Sequence, residues 1–137
     1  MISIFELGYR YVIPSIKRRL TEKLIGMGLT RREAAGKLGF SVSAISRYLS
    51  MERGVFVDVA SYSDVDKAVE YLALAIKDDR VDFYDIQIWI HRIALYMLSR
   101  RYMCRMHAKL DLNIDPNRCS ICPKTIANHI DISRIVS

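Results

Sequence analysis

Apolar residues recur at helical spacing along most of this chain, and the pattern predicts an all-α fold. The expected helices begin near Pro14, Arg31, Ser41, Ser63 and Asp82. Proline suits an early helical position, and the first of these helices ends at Gly26-Met27-Gly28, where glycine can form the C-terminal cap. The apolar N-terminal residues 1–13 fit either an extra helix or an arm packed on the rest.

Residues 30–50 have the pattern of two short helices joined by a tight turn. Thr30 and Glu33 have capping-box spacing, which predicts that a helix starts just after Thr30. Gly39 supplies the backbone freedom that a sharp turn needs. Ser41 can then cap the second helix.

The two faces of this helix pair differ in character. The residues expected to face inward are apolar: Ala34, Ala35, Leu38, Phe40, Ile45, Tyr48 and Leu49. Those expected to face outward are mostly small, with one arginine: Ser43, Ala44, Ser46, Arg47 and Ser50. A thin, polar helix face fits a DNA major groove about 12 Å wide. The alternative is a purely structural corner, but it does not require all these features together.

Positive charge is concentrated around this helix pair. The net charge of the chain is +6, and residues 1–54 account for all of it, with 10 basic and 4 acidic residues. Residues 55–137 are balanced. A solvated basic face does not predict such segregation, whereas neutralisation of phosphates does. The sequence thus divides into a helix-turn-helix DNA-binding domain, 1–54, and a helical dimerisation region, 55–137.

The region after the helix pair contains one ambiguous segment and two helices. Residues 55–59 alternate weakly, which fits a short strand or an extended linker. Ser63 and Asp66 have the spacing of a second capping box, which predicts a helix to about Ile76. From Asp82 the pattern predicts one long helix to about Lys109, because neither glycine nor proline interrupts it.

The predicted long helix is apolar on more than one face. One stripe contains Ile86, Trp89, Ile93 and Met97, and further apolar residues lie outside it. Such a helix must be covered over most of its circumference. A second copy of the chain would cover it, which predicts a homodimer and fits two-fold DNA recognition. The alternative is that the N-terminal helices cover it within a monomer.

Four possible metal ligands follow as two close pairs. Cys104 and His107 lie three residues apart on a helix, and Cys119 and Cys122 have the spacing of a zinc knuckle. Three thiolates and one imidazole would form a closed structural Zn²⁺ site that holds the tail on the long helix. An iron–sulfur cluster is the alternative cofactor, because thiolates bind both. The alternative to any metal is three unliganded thiols beside a surface histidine. We interpret His91 as an ordinary interface or core histidine.

Composition and motifs favour some classes of protein over others. No apolar run approaches the roughly 18–20 residues of a membrane span, and the N-terminus lacks the layout of a secretion signal. An odd number of cysteines fits a reduced or metal-bound state. We expect a cytoplasmic protein that is not an enzyme, since no phosphate-binding glycine loop, catalytic triad pattern or open metal site is visible.

Several motifs together resemble a family of small archaeal transcriptional regulators. They are Ile13-Pro14 before a basic helix, Glu33-Ala-Ala-x-x-Leu-Gly, Ala44-Ile-Ser-Arg-Tyr-Leu-Ser50, Arg53-Gly54 and the paired Cys-x-x-His and Cys-x-x-Cys. The resemblance implies a phage-repressor-type helix-turn-helix joined to a helical, cysteine-bearing half, in a dimeric cytoplasmic regulator. Members often carry further cysteines where this chain has His91 and Ala94, a departure that favours a single zinc ion over a cluster.

The sequence therefore predicts a sequence-specific DNA-binding regulator that acts as a homodimer on double-stranded DNA. The expected DNA-binding residues are Arg31, Arg32, Lys37, Ser41, Ser43, Ala44, Ser46, Arg47 and Ser50. Arg47 is expected on a guanine or a phosphate, Ser43 and Ser46 on nearby groups, and the other basic residues on phosphates. Two alternatives stay open: a redox-sensing iron–sulfur regulator, and an antitoxin-like or adaptor module that binds a protein.

Overall fold

The computed structural model describes residues 1–126, and every regular element within them is helical. The α-helices are α1 (Ile4–Leu7), α2 (Ile13–Gly26), α3 (Arg31–Leu38), α4 (Val42–Leu49), α5 (Ser63–Lys77), α6 (Phe83–Ser99), α7 (Cys104–Leu110) and α8 (Ile121–Ile126). A π-helical segment, Gly8–Val12, joins α1 to α2, and a 3-10 turn, Val59–Ser61, precedes α5. The all-α prediction is confirmed for these residues, and none of their helices is long and apolar enough to cross a membrane.

The N-terminal segment is helical from Ile4, so it is the extra helix rather than the arm, and α2 begins at Ile13 with Pro14 in its first turn, as predicted. Ser3 caps the start, because its hydroxyl accepts a hydrogen bond from the Glu6 amide. Pro14 has no N–H to donate to the preceding turn. Just before it, the Ile13 amide reaches back five residues to the Gly8 carbonyl. The helix therefore widens into a π turn instead of ending.

Helix α2 lies at the centre of the fold and contacts α3, α4, α5 and α6. Its inward residues Ile16, Leu20 and Leu24 are fully buried. They belong to one apolar cluster that extends from Ile4 to Cys122. The two regions assigned from the sequence thus share a single core.

The segment between α4 and α5 contains no strand. Val57 and Val59 are buried, and the Val57 amide donates to the Ser15 hydroxyl at 3.2 Å. This backbone group is satisfied by a side chain, so no neighbouring strand is needed. Gly54 approaches α2 closely at a φ of 70°, and a Cβ there would collide with the carbonyl oxygen of Pro14.

Helix α5 begins at Ser63, but the predicted capping box of Ser63 and Asp66 was wrong. Tyr62 is the N-cap residue, and no side chain caps this end. The Asp66 carboxylate instead pairs with Arg19, at 2.7 Å from Nε, and with Lys23, at 3.2 Å from Nζ. An ion pair between helices has replaced the local cap.

The long helix predicted from Asp82 to Lys109 is divided in two, so that prediction was wrong in its second half. Its start is correct, because Asp82 and Asp85 form a capping box. Helix α6 ends at Ser99, and Arg101 adopts a φ of 64°. The Tyr102 hydroxyl donates to Asp64 at 2.5 Å, and its ring stacks on Tyr62 with 4.7 Å between centroids. These contacts of Tyr102 with Asp64 and Tyr62 stabilise the turn between α6 and α7.

Candidate nucleic-acid interface

Helix α3 starts as the sequence predicts. The Thr30 hydroxyl accepts from the Glu33 amide at 3.1 Å, and the Glu33 carboxylate accepts from the Thr30 amide at 3.4 Å. Ala34 and Leu38 are buried against the rest of the fold. The capping box therefore determines the residue at which α3, the first helix of the pair, begins.

The turn between α3 and α4 depends on Gly39. Its φ of 69° lies in the left-handed region, which residues with a Cβ rarely adopt. A Cβ at Gly39 would also lie 2.7 Å from the Phe83 ring. Phe40 is half-buried in the corner, with its ring centroid 5.8 Å from that of Tyr48. The turn thus rests directly on the start of α6.

Helix α4 is capped by Ser41, whose hydroxyl accepts from the Ala44 amide at 3.0 Å. Ile45 and Tyr48 are buried, and Leu49 is half-buried. Of the predicted outward residues, Ser43, Arg47 and Ser50 are exposed, whereas Ala44 and Ser46 are half-buried. The apolar face of α4 therefore matches the pattern in the sequence, whereas its outward face is less exposed than predicted at Ala44 and Ser46. No acidic residue lies within the helix.

A hydrogen bond joins the outward faces of the two helices. Arg31, the first residue of α3, donates from Nη1 to the Ser46 hydroxyl at 2.9 Å. Both side chains were predicted DNA contacts, Ser46 as a reader and Arg31 as a phosphate ligand. Their contact makes one polar unit from residues on different helices.

Lys37, by contrast, already has an anionic partner. Its ammonium group forms a salt bridge with the Asp79 carboxylate, just beyond the end of α5, and the Lys37 side chain is only 30% exposed. Asp79 is brought there by the turn that follows α5, which the sequence pattern alone does not place. Lys37 is therefore a weaker candidate for a phosphate than Arg31 or Arg32.

Ion pairs reduce the positive charge that this region can offer. Of its ten basic residues, four pair with carboxylates: Arg18, Arg19, Lys23 and Lys37. Six take part in no salt bridge within residues 1–126: Arg10, Lys17, Arg31, Arg32, Arg47 and Arg53. The basic residues without an ion pair therefore include Arg31 and Arg32 at the start of α3 and Arg47 in the last turn of α4.

Arg53 is a candidate that the motif-based prediction missed. It is exposed just beyond the end of α4. Burial raises the pKa of the Tyr48 hydroxyl, and the positive charge of Arg53 opposes that shift, which places the guanidinium near Tyr48. The signal in the sequence was its position in the turn that follows the second helix.

The three cysteines lie near one another at the opposite end of the chain. Burial raises the pKa of the Cys122 thiol to about 11, and nearby Cys104 and Cys119 add to the effect. His107 is buried, and its Nε2 lies 2.6 Å from the carbonyl oxygen of Ile2. The three cysteines therefore lie close enough to interact electrostatically, while the His107 imidazole contacts the N-terminal segment.

The three cysteines and His107 are not arranged as a preformed metal site. Nowhere in residues 1–126 are three or more His, Cys, Asp or Glu side chains arranged to hold a metal ion. The donor types still suit zinc, and Nδ1 is the nitrogen of His107 that the Ile2 carbonyl leaves free. His129 lies outside the described residues. Zinc thus stays a prediction supported by donor chemistry.

Comparisons with models of protein families, with curated proteins and with solved structures found no match to this chain.

Proposed function

We propose that this protein is a sequence-specific DNA-binding transcriptional regulator that acts as a homodimer in the cytoplasm. The observation that carries the proposal is the outward face of α4, where Ser43 and Arg47 are exposed and Arg31 reaches across to Ser46. A narrow helix with small polar residues and no carboxylate can enter a major groove. Unpaired arginines around it can neutralise phosphates.

Arg47 is the proposed reader of a base. We expect Arg47→Ala to lower the preference for the best site by about 1–3 kcal/mol relative to a scrambled site. The measurement is competitive mobility shift at fixed salt. Arg105→Ala is the matched control, because Arg105 is exposed on α7, far along the chain from the helix pair. An equal loss on every sequence would make Arg47 a phosphate contact instead.

We also propose a structural Zn²⁺ ion bound by Cys104, His107, Cys119 and Cys122. When bound, the ion would hold the residues before α8 on α7, which is a structural role for a closed site. Metal analysis of protein purified anaerobically tests this, and we expect one zinc per chain. Iron with visible absorption would favour the iron–sulfur regulator, and three titratable thiols without metal would overturn the site.

The competing function is an antitoxin-like or adaptor module that binds a protein. Such a module would have the same basic helix pair, but it would not need to prefer one DNA sequence over another. A stable co-purifying protein, together with DNA binding that ignores sequence at moderate salt, would favour it. We propose the regulator because the exposed face of α4 is polar, includes Arg47 and contains no carboxylate, which suits a DNA major groove.

A further inference from the structure

An apolar surface is exposed where α5 and α6 lie side by side. Seven large residues form it, and we name it the α5–α6 face: Tyr71, Leu74, Tyr84, Ile88, Trp89, Leu95 and Tyr96. Their exposed fractions range from 38% to 76%. Since a whole aromatic residue offers on the order of 200 Å², the seven expose roughly 700 Å². One partner in a standard protein interface buries about 800 Å².

Trp89 stands between two grooves on this face. One groove, of about 310 Å³, lies between Trp89 and Tyr96, and the other, of about 370 Å³, lies between Trp89 and Tyr71. Ala68 of α5, which has a small side chain, lines both grooves. A cavity of about 150 Å³ accepts a benzene ring. Each groove therefore has room for an aromatic side chain from a partner.

The charges on this face balance one another. Arg92 lies over the Trp89 ring, 5.4 Å from its centroid, and Asp85 is exposed one turn earlier on the same side of α6. Lys67 and Glu70 border the α5 side, beside Tyr71. A nucleic acid or an anionic membrane would require one sign of charge. A surface with both signs can pair with itself across a two-fold axis.

We infer that the α5–α6 face is the homodimer interface, with Trp89 of each copy entering a groove of the other. This inference deepens the proposed function, because it names the surface that pairs two DNA readers. Phe83, at the start of α6, lies against the Gly39 turn. The interface therefore connects rigidly to the α3–α4 helix pair and fixes the separation of the two copies of α4.

Trp89 is the only tryptophan in the chain, so its fluorescence reports directly on this face. We expect the full-length protein to sediment as a dimer without DNA, and its emission to shift to longer wavelength on dilution as the dimer dissociates. Leu95→Asp keeps the probe and places a charge on the face. It should weaken dimerisation at least tenfold. Leu112→Asp makes the same change at a side chain that is 94% exposed, off the face, and should leave the dimer intact.

Ile88→Asp repeats the test, and circular dichroism checks that each variant is folded. A dimer that both face variants leave intact would overturn the inference. A protein that is monomeric at every concentration would overturn it as well. A monomer that still selects one half-site would overturn the interface alone, and a dimer that selects no DNA would overturn only the proposed function.

Discussion

At the scale of single residues, the hydrogen bond between Arg31 and Ser46 couples a polar side chain of α3 to one of α4. A guanidinium that donates to a hydroxyl fixes the direction in which that hydroxyl can donate onward. Neither residue would then act alone on DNA. The sequence identified both residues but not their contact, because they are fifteen positions apart and meet only through the packing of α3 on α4.

A double-mutant cycle tests this link. We expect Arg31→Ala and Ser46→Ala each to weaken DNA binding, and their combined loss to differ from the sum by about 0.5–1 kcal/mol, because residues in contact couple. Arg32→Ala with Ser46→Ala is the control and should be additive, since Ser46 accepts its hydrogen bond from Arg31 and not from Arg32. Binding isotherms at one salt concentration give the four affinities. Additive losses for the first pair would show that the hydrogen bond has no role on DNA.

Asp66 gives a second prediction at this scale, for stability in acid. Its hydrogen bonds from Arg19, and then from Lys23, lower the pKa of its carboxyl. A carboxyl with a lowered pKa in the folded state stabilises that state above its unfolded pKa of about 3.9. That contribution is lost as the pH falls through the folded pKa. We therefore expect Asp66→Asn to lower the free energy of unfolding at pH 7 by about 1–2 kcal/mol.

The difference between Asp66→Asn and wild type should shrink as the pH falls below about 4. Urea denaturation at neutral and acidic pH measures it. Glu52→Gln removes an exposed carboxyl that takes part in no salt bridge within residues 1–126, and it should change stability little at either pH. A constant difference at all pH values would contradict the assigned ion pairs.

At the scale of elements, local signals predicted where helices begin better than where they end. The capping boxes at Thr30 and Asp82 need only residues three apart, so the sequence contains all the information. The break after Ser99 depends on Tyr102 meeting Asp64, which is distant in the chain. The cap predicted at Ser63 failed for the same reason, because Asp66 binds residues of α2.

The Gly39 turn gives a prediction for an element. Alanine there would adopt a left-handed φ and would press its Cβ against Phe83, so we expect Gly39→Ala to cost about 1–3 kcal/mol of stability. Gly36→Ala is the matched control within α3. No neighbouring atom lies within 4 Å of its added Cβ, and it should stabilise the helix by about 0.5–1 kcal/mol. Thermal unfolding compares the two, and similar effects would contradict the role of Gly39.

At the scale of the whole molecule, the charge distribution needs the structure for its interpretation. The sequence located all excess positive charge in residues 1–54. Four of those basic side chains form ion pairs, two of them with the Asp66 carboxylate of α5, so a count along the chain overstates the available charge. The core joins the two predicted regions through α2. The proposed DNA-binding surface and the proposed dimer interface thus belong to elements that share one core.

We propose that two copies of α4, one from each protomer, read adjacent segments of one duplex. Selection of bound duplexes from random sequence by the full-length protein tests it most directly. We expect enrichment of a two-fold symmetric site, with half-sites separated by about 10 base pairs or a multiple of that. The Arg47→Ala variant should lose preference at matching positions in both halves. Recovery of unenriched sequences at moderate salt would contradict the claim.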